Sequence, residues 1–456
     1  MMDLTFKDVV EISRAEVRGV RLDEKIQDIT IDSRDVREGS LFVALPGTRT
    51  HGHHFIPQVW SCGGVALAEA TFGPVLGPTL LVKSPLETMG QLTRTLIDSK
   101  RITVVGITGS VGKTSLKELT WAALASRYKV GKSQGNYNTA IGVPLSFLRS
   151  RDNMTHFVSE MGMRALGEIR SLTKITPPDV AVITNIGPNH LESLGSMENI
   201  QRAKGEILEG LKVGGRAVLN GDDPLVRQLG QHLDGHQVLW FGYESADVVI
   251  ENVRVKEMRT EVTLRFRDQV STLWVPWFGR QHGYTVAAAF LVGHLLGLHR
   301  DEIAGALETV DPDNGRLQRR RIGALNVLCD YYNAGPASMK MSLEVLKAQE
   351  TPTRRIAVLG DMMELGNQEH WAHQEVGHFA AQMAEVILAV GPRAKEIAQA
   401  ANTERKGCAA WVQDLDQAKE WIKDNVQSDD VLLLKASHSM NFDDLYQELA
   451  RWGGPQ

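Results

Sequence analysis

The sequence predicts an α/β protein of three domains: a small mixed α/β domain first, a central parallel-sheet domain built on a P-loop, and a C-terminal Rossmann-like, doubly wound domain. Three observations carry this. The chain has 456 residues, more than one hydrophobic core organises, and domains of roughly 150 residues are the usual solution. Short apolar runs alternate with helical stretches over most of its length, the pattern of parallel strands joined by crossover helices. Finally, Ile102-Thr103-Val104-Val105 runs directly into Gly106-Ile107-Thr108-Gly109-Ser110-Val111-Gly112-Lys113-Thr114-Ser115, a glycine-rich turn between a strand and a helix.

The first domain is expected over residues 1–84. Ile29–Ile31 and Leu41–Leu45 read as short strands separated by polar turns, and Thr79–Lys83 runs up to Ser84-Pro85, where proline disfavours helix at the residue before it. The central domain is expected over 85–312. Its strands are Ile102–Ile107, Phe157–Glu160, Val180–Asn185 and Arg216–Asn220, with a helix over Met197–Leu211 and a more antiparallel patch over Val248–Val270. The turn cluster Asp311-Pro312-Asp313-Asn314-Gly315 marks the next boundary. Over 313–456 the alternation resumes, with strands at Arg355–Leu359, Val386–Val390, Ala410–Val412 and Val431–Lys435. Helices are expected through His373–Met383, around Ala394–Ala401 and over Leu415–Val426. Ligand groups of such a domain gather at the carboxyl ends of its strands.

Composition narrows the class. A hydrophobic fraction of 43% and a charged fraction of 23% suit an ordinary globular protein. The formal net charge of -5 argues against general nucleic-acid binding. Cys62, Cys329 and Cys408 are far apart and form no Cys-x-x-Cys pair, which suits a reducing cytoplasm. No apolar run approaches the ~20 residues that span a bilayer, so no membrane insertion is expected.

The glycine-rich turn makes a nucleotide-driven enzyme the first hypothesis. Glycines let backbone N–H groups approach phosphate oxygens, Lys113 adds a mobile cation, and the Thr114 hydroxyl suits Mg²⁺. The loop is of the shorter Thr-Gly-x-x-Gly-Lys-Thr kind, with Ile107 where the longer pattern has glycine. Leu116, Leu119, Ala123 and Leu124 give the following helix an apolar face. Glu160 and His190 close strands that end beside this loop in a parallel sheet, which makes them candidate metal ligands. Singly, each would read as a solvated carboxylate or a loop histidine. Lys204, on composition, reads as a solvated helix lysine, Asn136-Tyr137-Asn138 as a polar turn, and Arg316 as a linker flank.

The motifs together resemble the Mur ligases of peptidoglycan precursor synthesis: Gly106–Ser115, Gly135–Leu145, Glu160-Met161-Gly162, Thr184-Asn185-Ile186 with His190-Leu191-Glu192, and Lys204-Gly205-Glu206-Ile207. Tyr332–Met339 and Leu359–Gly366 are similar to the members that add the dipeptide D-Ala-D-Ala to a UDP-N-acetylmuramoyl-tripeptide. Ile31-Asp32-Ser33-Arg34 and Gly39–Leu45 look like their uridine-nucleotide domain.

The resemblance implies an ATP-dependent, monomeric, cytoplasmic ligase whose central domain is the ATPase and which works through an acyl phosphate. It implies catalytic Lys113, Glu160, His190 and Lys204, and two Mg²⁺ sites among Thr114, Glu160, His190 and a Lys204 carrying a CO₂-derived carbamate. ATP is then held by Gly109, Ser110, Val111, Gly112, Lys113, Thr114, Ser115, Thr285, Arg316 and Asp330. Substrate falls to Ser33, Arg34, Asn136, Asn138, Tyr332, Asn333, Asp361, Lys435, Ser437 and His438.

The chain departs from the family's pattern at Thr285, where an adenine-contacting asparagine is usual, at Gly335, at Thr139, and at His438 in place of arginine. An imidazole with an ordinary pKa of ~6.5 is only partly charged at neutral pH. Two other readings stay open: a related ligase with a different amine acceptor, including a folylpolyglutamate-synthase-like one, and a nucleotide-binding paralogue without turnover.

Overall fold

In this computed structural model the chain forms three sheets, of five, nine and six strands. The structure describes residues 2–454 except 48–49, 73–75, 235–236, 257–258, 312–314, 316 and 350–353. Most of the Asp311–Gly315 turn and all of Arg316 therefore lie outside the described residues.

The first sheet runs in the order 16–18, 79–82, 65–69, 40–43, 28–30, parallel except for the antiparallel first pair. Ser84-Pro85 is a helix start. The Ser84 hydroxyl accepts from the Glu87 N–H, and the proline occupies the first turn of helix Pro85–Lys100, where its missing N–H costs nothing. The buried face of that helix, Met89, Leu92, Leu96 and Ile97, joins Leu41, Val43, Leu67 and Leu80 of the first sheet to Val104, Phe157 and Ala181 of the second in one continuous apolar core.

The second sheet is ordered 269–275, 259–266, 248–256, 238–242, 216–220, 180–183, 103–108, 156–160, 130–132. Its sequence pattern predicts a parallel sheet followed by a more antiparallel patch over Val248–Val270, and seven strands are mutually parallel. The last two, Arg259–Phe266 and Gln269–Val275, extend it antiparallel, so the sheet is mixed. They alternate buried Val262, Leu264 and Leu273 with half-buried or exposed residues, as suits a one-sided sheet edge. The inner strands are apolar on both faces. Val104, Phe157 and Ala181 point to the core shared with the first sheet, and Val105, Val158 and Val182 meet helices Lys113–Ala125 and His282–Leu295.

The third sheet is ordered 318–322, 325–329, 431–435, 355–360, 386–390, 409–412, parallel after an antiparallel first pair. Separate apolar clusters cover its two faces, as in a doubly wound layer. Among the described residues no helix is long and apolar enough to cross a membrane.

His53 in the first domain is buried, and its Nε2 accepts from the Glu69 N–H at 3.2 Å, which requires an unprotonated nitrogen. Burial, and after it the neighbouring His51, pushes its pKa down to about 4. The unfolded chain takes up this proton below about 6.5 while the folded chain does not until about 4. Stability of this domain should therefore fall as the pH is lowered from 6.5 to 4, and a His53→Asn variant should show a flatter dependence over that window in urea melts followed by circular dichroism.

Candidate functional site

Strand Thr103–Thr108 lies between 156–160 and 180–183, with Ile107 opposite Glu160 and Thr108 opposite Ile183. This register delivers the end of each neighbour to the start of the phosphate loop, and the chain beyond 183 then clamps it. Ser110 N–H donates to the Asn185 carbonyl (2.9 Å), Val111 N–H to Asn185 Oδ1 (2.9 Å), and Thr184 Oγ1 to the Val111 carbonyl (2.7 Å). The Gly187 N–H donates to Ser110 Oγ (2.7 Å), and Asp223 accepts from the Ile186 N–H (2.7 Å) and caps helix Pro224–Gly230. Gly112, at φ 84°, turns the chain into helix Lys113–Ala125. The loop is thus held in shape by side chains outside it.

Thr114 Oγ1 donates to Glu160 Oε2 at 2.8 Å, and Asn138 Nδ2 to Glu160 Oε1 at 3.0 Å. Glu160 is 3% exposed, so it is no solvated surface carboxylate. Lys113 Nζ folds over its own loop, donating to the carbonyls of Gly109 (2.7 Å) and Ser110 (3.3 Å). Lys204 is 2% exposed, which overturns its reading as a solvated helix lysine. It falls on the buried side of helix Met197–Glu209 with Ile200, Ala203 and Ile207. Burial, and then the charge of Lys113, lowers its pKa far below the usual lysine range. His190, at φ 62°, turns its Nδ1 to Glu364 Oε2 at 2.9 Å. Its pKa is also lowered, because burial and the charges of Lys113 and Lys204 outweigh Glu364.

These groups line a cleft of about 1820 Å³ whose far wall belongs to the third sheet, well above the ~300–1,000 Å³ of a site for one small ligand. Gly109–Ser115, Asn136, Asn138, Glu160, His190, Lys204 and Thr285 line one side, and Asp330, Tyr332, Asn333, Lys435, Ser437 and His438 the other. Lys435 is committed to its own wall. Its Nζ donates to Asp330 Oδ2 (2.6 Å) and to the Asn333 carbonyl (3.1 Å). Ser437 Oγ accepts from the Met363 N–H, and the His438 ring stands 5.7 Å from that of Tyr332.

Among the described residues, three nominated ones do not line this cleft. Ser33 and Arg34 sit on a short turn of the first domain, where Arg34 pairs with Asp32. Asp361 is turned away: it is 1% exposed and accepts from the Ala394 N–H at 2.7 Å. The carboxylate there meets the backbone at the start of helix Lys395–Glu404.

Comparison with known proteins follows the same three parts of the chain. The Mur ligase middle domain matches residues 107–293, the Mur ligase glutamate ligase domain residues 315–438, and the Mur ligase family catalytic domain residues 25–67. The UDP-N-acetylmuramoyl-tripeptide–D-alanyl-D-alanine ligase of Bacillus subtilis is 31% identical over 460 residues, covering 98% of this chain and 99% of that protein. The chain belongs to the Mur ligase family. Among solved structures, MurF from Acinetobacter baumannii superposes with a TM-score of 0.90 at 27% identity, over 99% of both chains. MurF ligase from Thermotoga maritima in complex with ADP gives 0.82 at 30% identity, over 93% of this chain and 97% of that one. The likeness within the family is to MurF, and the chain is accordingly a ligase.

Several residues of this Mur ligase site escape a reading of motifs. Asn185 and Thr184 stand in a quoted run, yet their hold on the loop depends on strand register. Glu364 lies within Leu359–Gly366, but only the packing of the third domain brings it to His190 and to Arg164 (3.7 Å). Tyr284 donates to Asp222 at 3.0 Å on the cleft wall beside Thr285.

Gly109 has φ 149°, and a Cβ added there would lie 1.9 Å from Thr184 Oγ1. Backbone strain alone costs about 1–3 kcal/mol at such a position, and the clash adds to it. Gly109→Ala should therefore weaken binding of a fluorescent ADP analogue by about tenfold to a hundredfold or more, measured by fluorescence titration.

Proposed function

We propose that this chain joins D-Ala-D-Ala to UDP-N-acetylmuramoyl-tripeptide, cleaving ATP to ADP and phosphate, as a cytoplasmic monomer. The observation that carries the reading is a clamped phosphate loop whose Thr114 hydroxyl touches buried Glu160, at one wall of a cleft roomy enough for nucleotide and peptide together. The names of the relatives given above support the same substrates. We divide the labour as residues 1–84 for the uridine nucleotide through Ser33 and Arg34, 85–312 for ATP, and 313–456 for the far wall.

An amide forms only when the peptide carboxylate carries a leaving group. A carboxylate oxygen attacks the γ-phosphorus, the bond to ADP breaks, and an acyl phosphate results. The amine of D-Ala-D-Ala then bonds to the acyl carbon and gives up a proton, and the tetrahedral species collapses with loss of phosphate. Both steps crowd anionic oxygens together, so fixed donors and cations carry most of the catalysis. The Ser110 and Val111 amides are given to Asn185, so phosphate oxygens fall to the remaining amides of the loop, and Lys113 leaves its own loop carbonyls for the γ-phosphate. Thr285, Arg316 and Asp330 hold the nucleoside side. Asn136 and Asn138 face the muramoyl peptide, while Tyr332, Asn333, Ser437 and His438 face the incoming dipeptide.

The donors fit Mg²⁺. Among the described residues no cluster of three or more His, Cys, Asp or Glu forms a closed cage, and Mg²⁺ characteristically takes one or two protein oxygens and completes its shell with phosphates and water. Thr114 and Glu160 would hold one ion, His190 and a carbamylated Lys204 a second, and when bound they offset the charge on the transferring phosphoryl group. Lys204 suits that modification because only an unprotonated amine reacts with CO₂, and its burial beside Lys113 shifts it toward that form.

Mass spectrometry of a mixture of protein, ATP, Mg²⁺, UDP-N-acetylmuramoyl-tripeptide and D-Ala-D-Ala should find the UDP-muramoyl pentapeptide with one ADP per product, and only when both substrates are present. Lys113→Ala should lower the rate about a hundredfold or more. ADP released equally without the amine would reject the reading, and product with another amine alone would favour the altered-acceptor alternative.

A further inference from the structure

Lys117 lies one helical turn after Thr114 and is fully buried. A buried ammonium persists only where its charge and its donors are met. Here Nζ donates to the Gly135 carbonyl at 2.9 Å and stands 3.4 Å from Glu118 Oε1 and 3.6 Å from Glu160 Oε2. Glu118 in turn pairs with Lys132, whose ammonium also rests over the Trp121 ring at 3.9 Å. Two cations thus face two carboxylates beneath the phosphate loop.

The two lysines are not equivalent. Lys132 touches only Glu118 and Trp121 in this group. Lys117 reaches the carboxylate that meets Thr114, and also the backbone where the Gly135–Asn138 loop begins. That loop returns to the same carboxylate through Asn138, whose side chain would fill the space of a Cβ on Gly162. Lys117 therefore sits at the centre of a closed circuit: helix, Gly135 loop, Asn138, Glu160, Thr114, and back to the helix.

The geometry points to Lys117 as a positioning residue that holds Glu160 and the Gly135–Asn138 loop in register with Thr114. It does not line the cleft itself. Its ammonium offsets the Glu160 charge from the side opposite the cleft, so the carboxylate keeps one orientation toward Thr114 and toward a divalent cation. Partners of this kind, one contact removed from the ligand, are typically worth about 10- to 100-fold in metal affinity or activity. The inference rests on the proposed function for its turnover assay but not for its binding assay.

The test compares Lys117→Met, Lys117→Gln, Lys117→Arg and Lys132→Met in the full chain. Calorimetric titration of Mg²⁺ into protein saturated with ADP involves no turnover. Lys117→Met and Lys117→Gln should weaken Mg²⁺ binding about 10- to 100-fold and lower kcat of pentapeptide formation by a similar factor, with KM for D-Ala-D-Ala unchanged. Lys117→Arg should recover most of both, and Lys132→Met should stay within about threefold of the parent although it too breaks an ion pair of Glu118. Parent-like Mg²⁺ affinity and kcat in Lys117→Gln, or an equal loss in Lys132→Met, would overturn the role. If Lys117→Met does not accumulate as folded protein, the contrast between Lys117→Gln and Lys117→Arg decides, and equal values for the two also overturn it. Should the parent protein make no pentapeptide, the proposed function fails while the Mg²⁺ titration still judges Lys117.

Discussion

The site depends on one constraint, the parallel register of three strands. Hydrogen bonding of 103–108 between 156–160 and 180–183 places Ile107 beside Glu160 and Thr108 beside Ile183. A one-residue slip in either pair would turn Glu160 or Thr184 to the opposite face of the sheet. With the register set, backbone and side chains of 184–187 clasp residues 110 and 111, and the loop keeps its concave shape through contacts it does not itself supply. Preorganisation of this kind lowers the cost of ordering the loop around an anion.

Around that loop the structure concentrates charge where water is scarce. Glu160, Lys117 and Lys204 are almost entirely covered, and each meets the cost differently. Glu160 accepts from a hydroxyl and an amide and faces an ammonium. Lys117 has two carboxylates and a carbonyl. Lys204 has the charge of Lys113 nearby, and burial together with that charge lowers its pKa well below the usual lysine range.

The third domain completes the site and also ties itself to it. Glu364 reaches His190 and Arg164 from across the cleft, and Gly366 lies against Glu192. Behind that contact, the Asp330–Lys435 pair fixes the segment running to Asn333 on the far wall, so Tyr332 and His438 present a stable surface. Such a contact between domains is small and polar, the kind that permits relative motion.

Much of this was legible in the sequence, for local reasons. Strand, glycines, Lys113 and Thr114 are contiguous, so the phosphate loop follows from backbone sterics and neighbouring chemistry alone. The alternation of apolar runs and helical stretches implied layered α/β sheets, and the spacing of Ile200, Ala203, Lys204 and Ile207 already put Lys204 on an apolar face, although composition pointed to solvent. What the sequence could not decide is what depends on residues far apart in the chain. The turning of Asp361 toward the Ala394 backbone, the clasp of Thr184 and Asn185 on the loop, the pairing of His190 with Glu364, and the burial of Lys117 against Glu160 all arise from strand order and domain packing. Periodicity records which face of an element is covered. Which distant group covers it, and so which charges meet, is settled only when the sheets assemble.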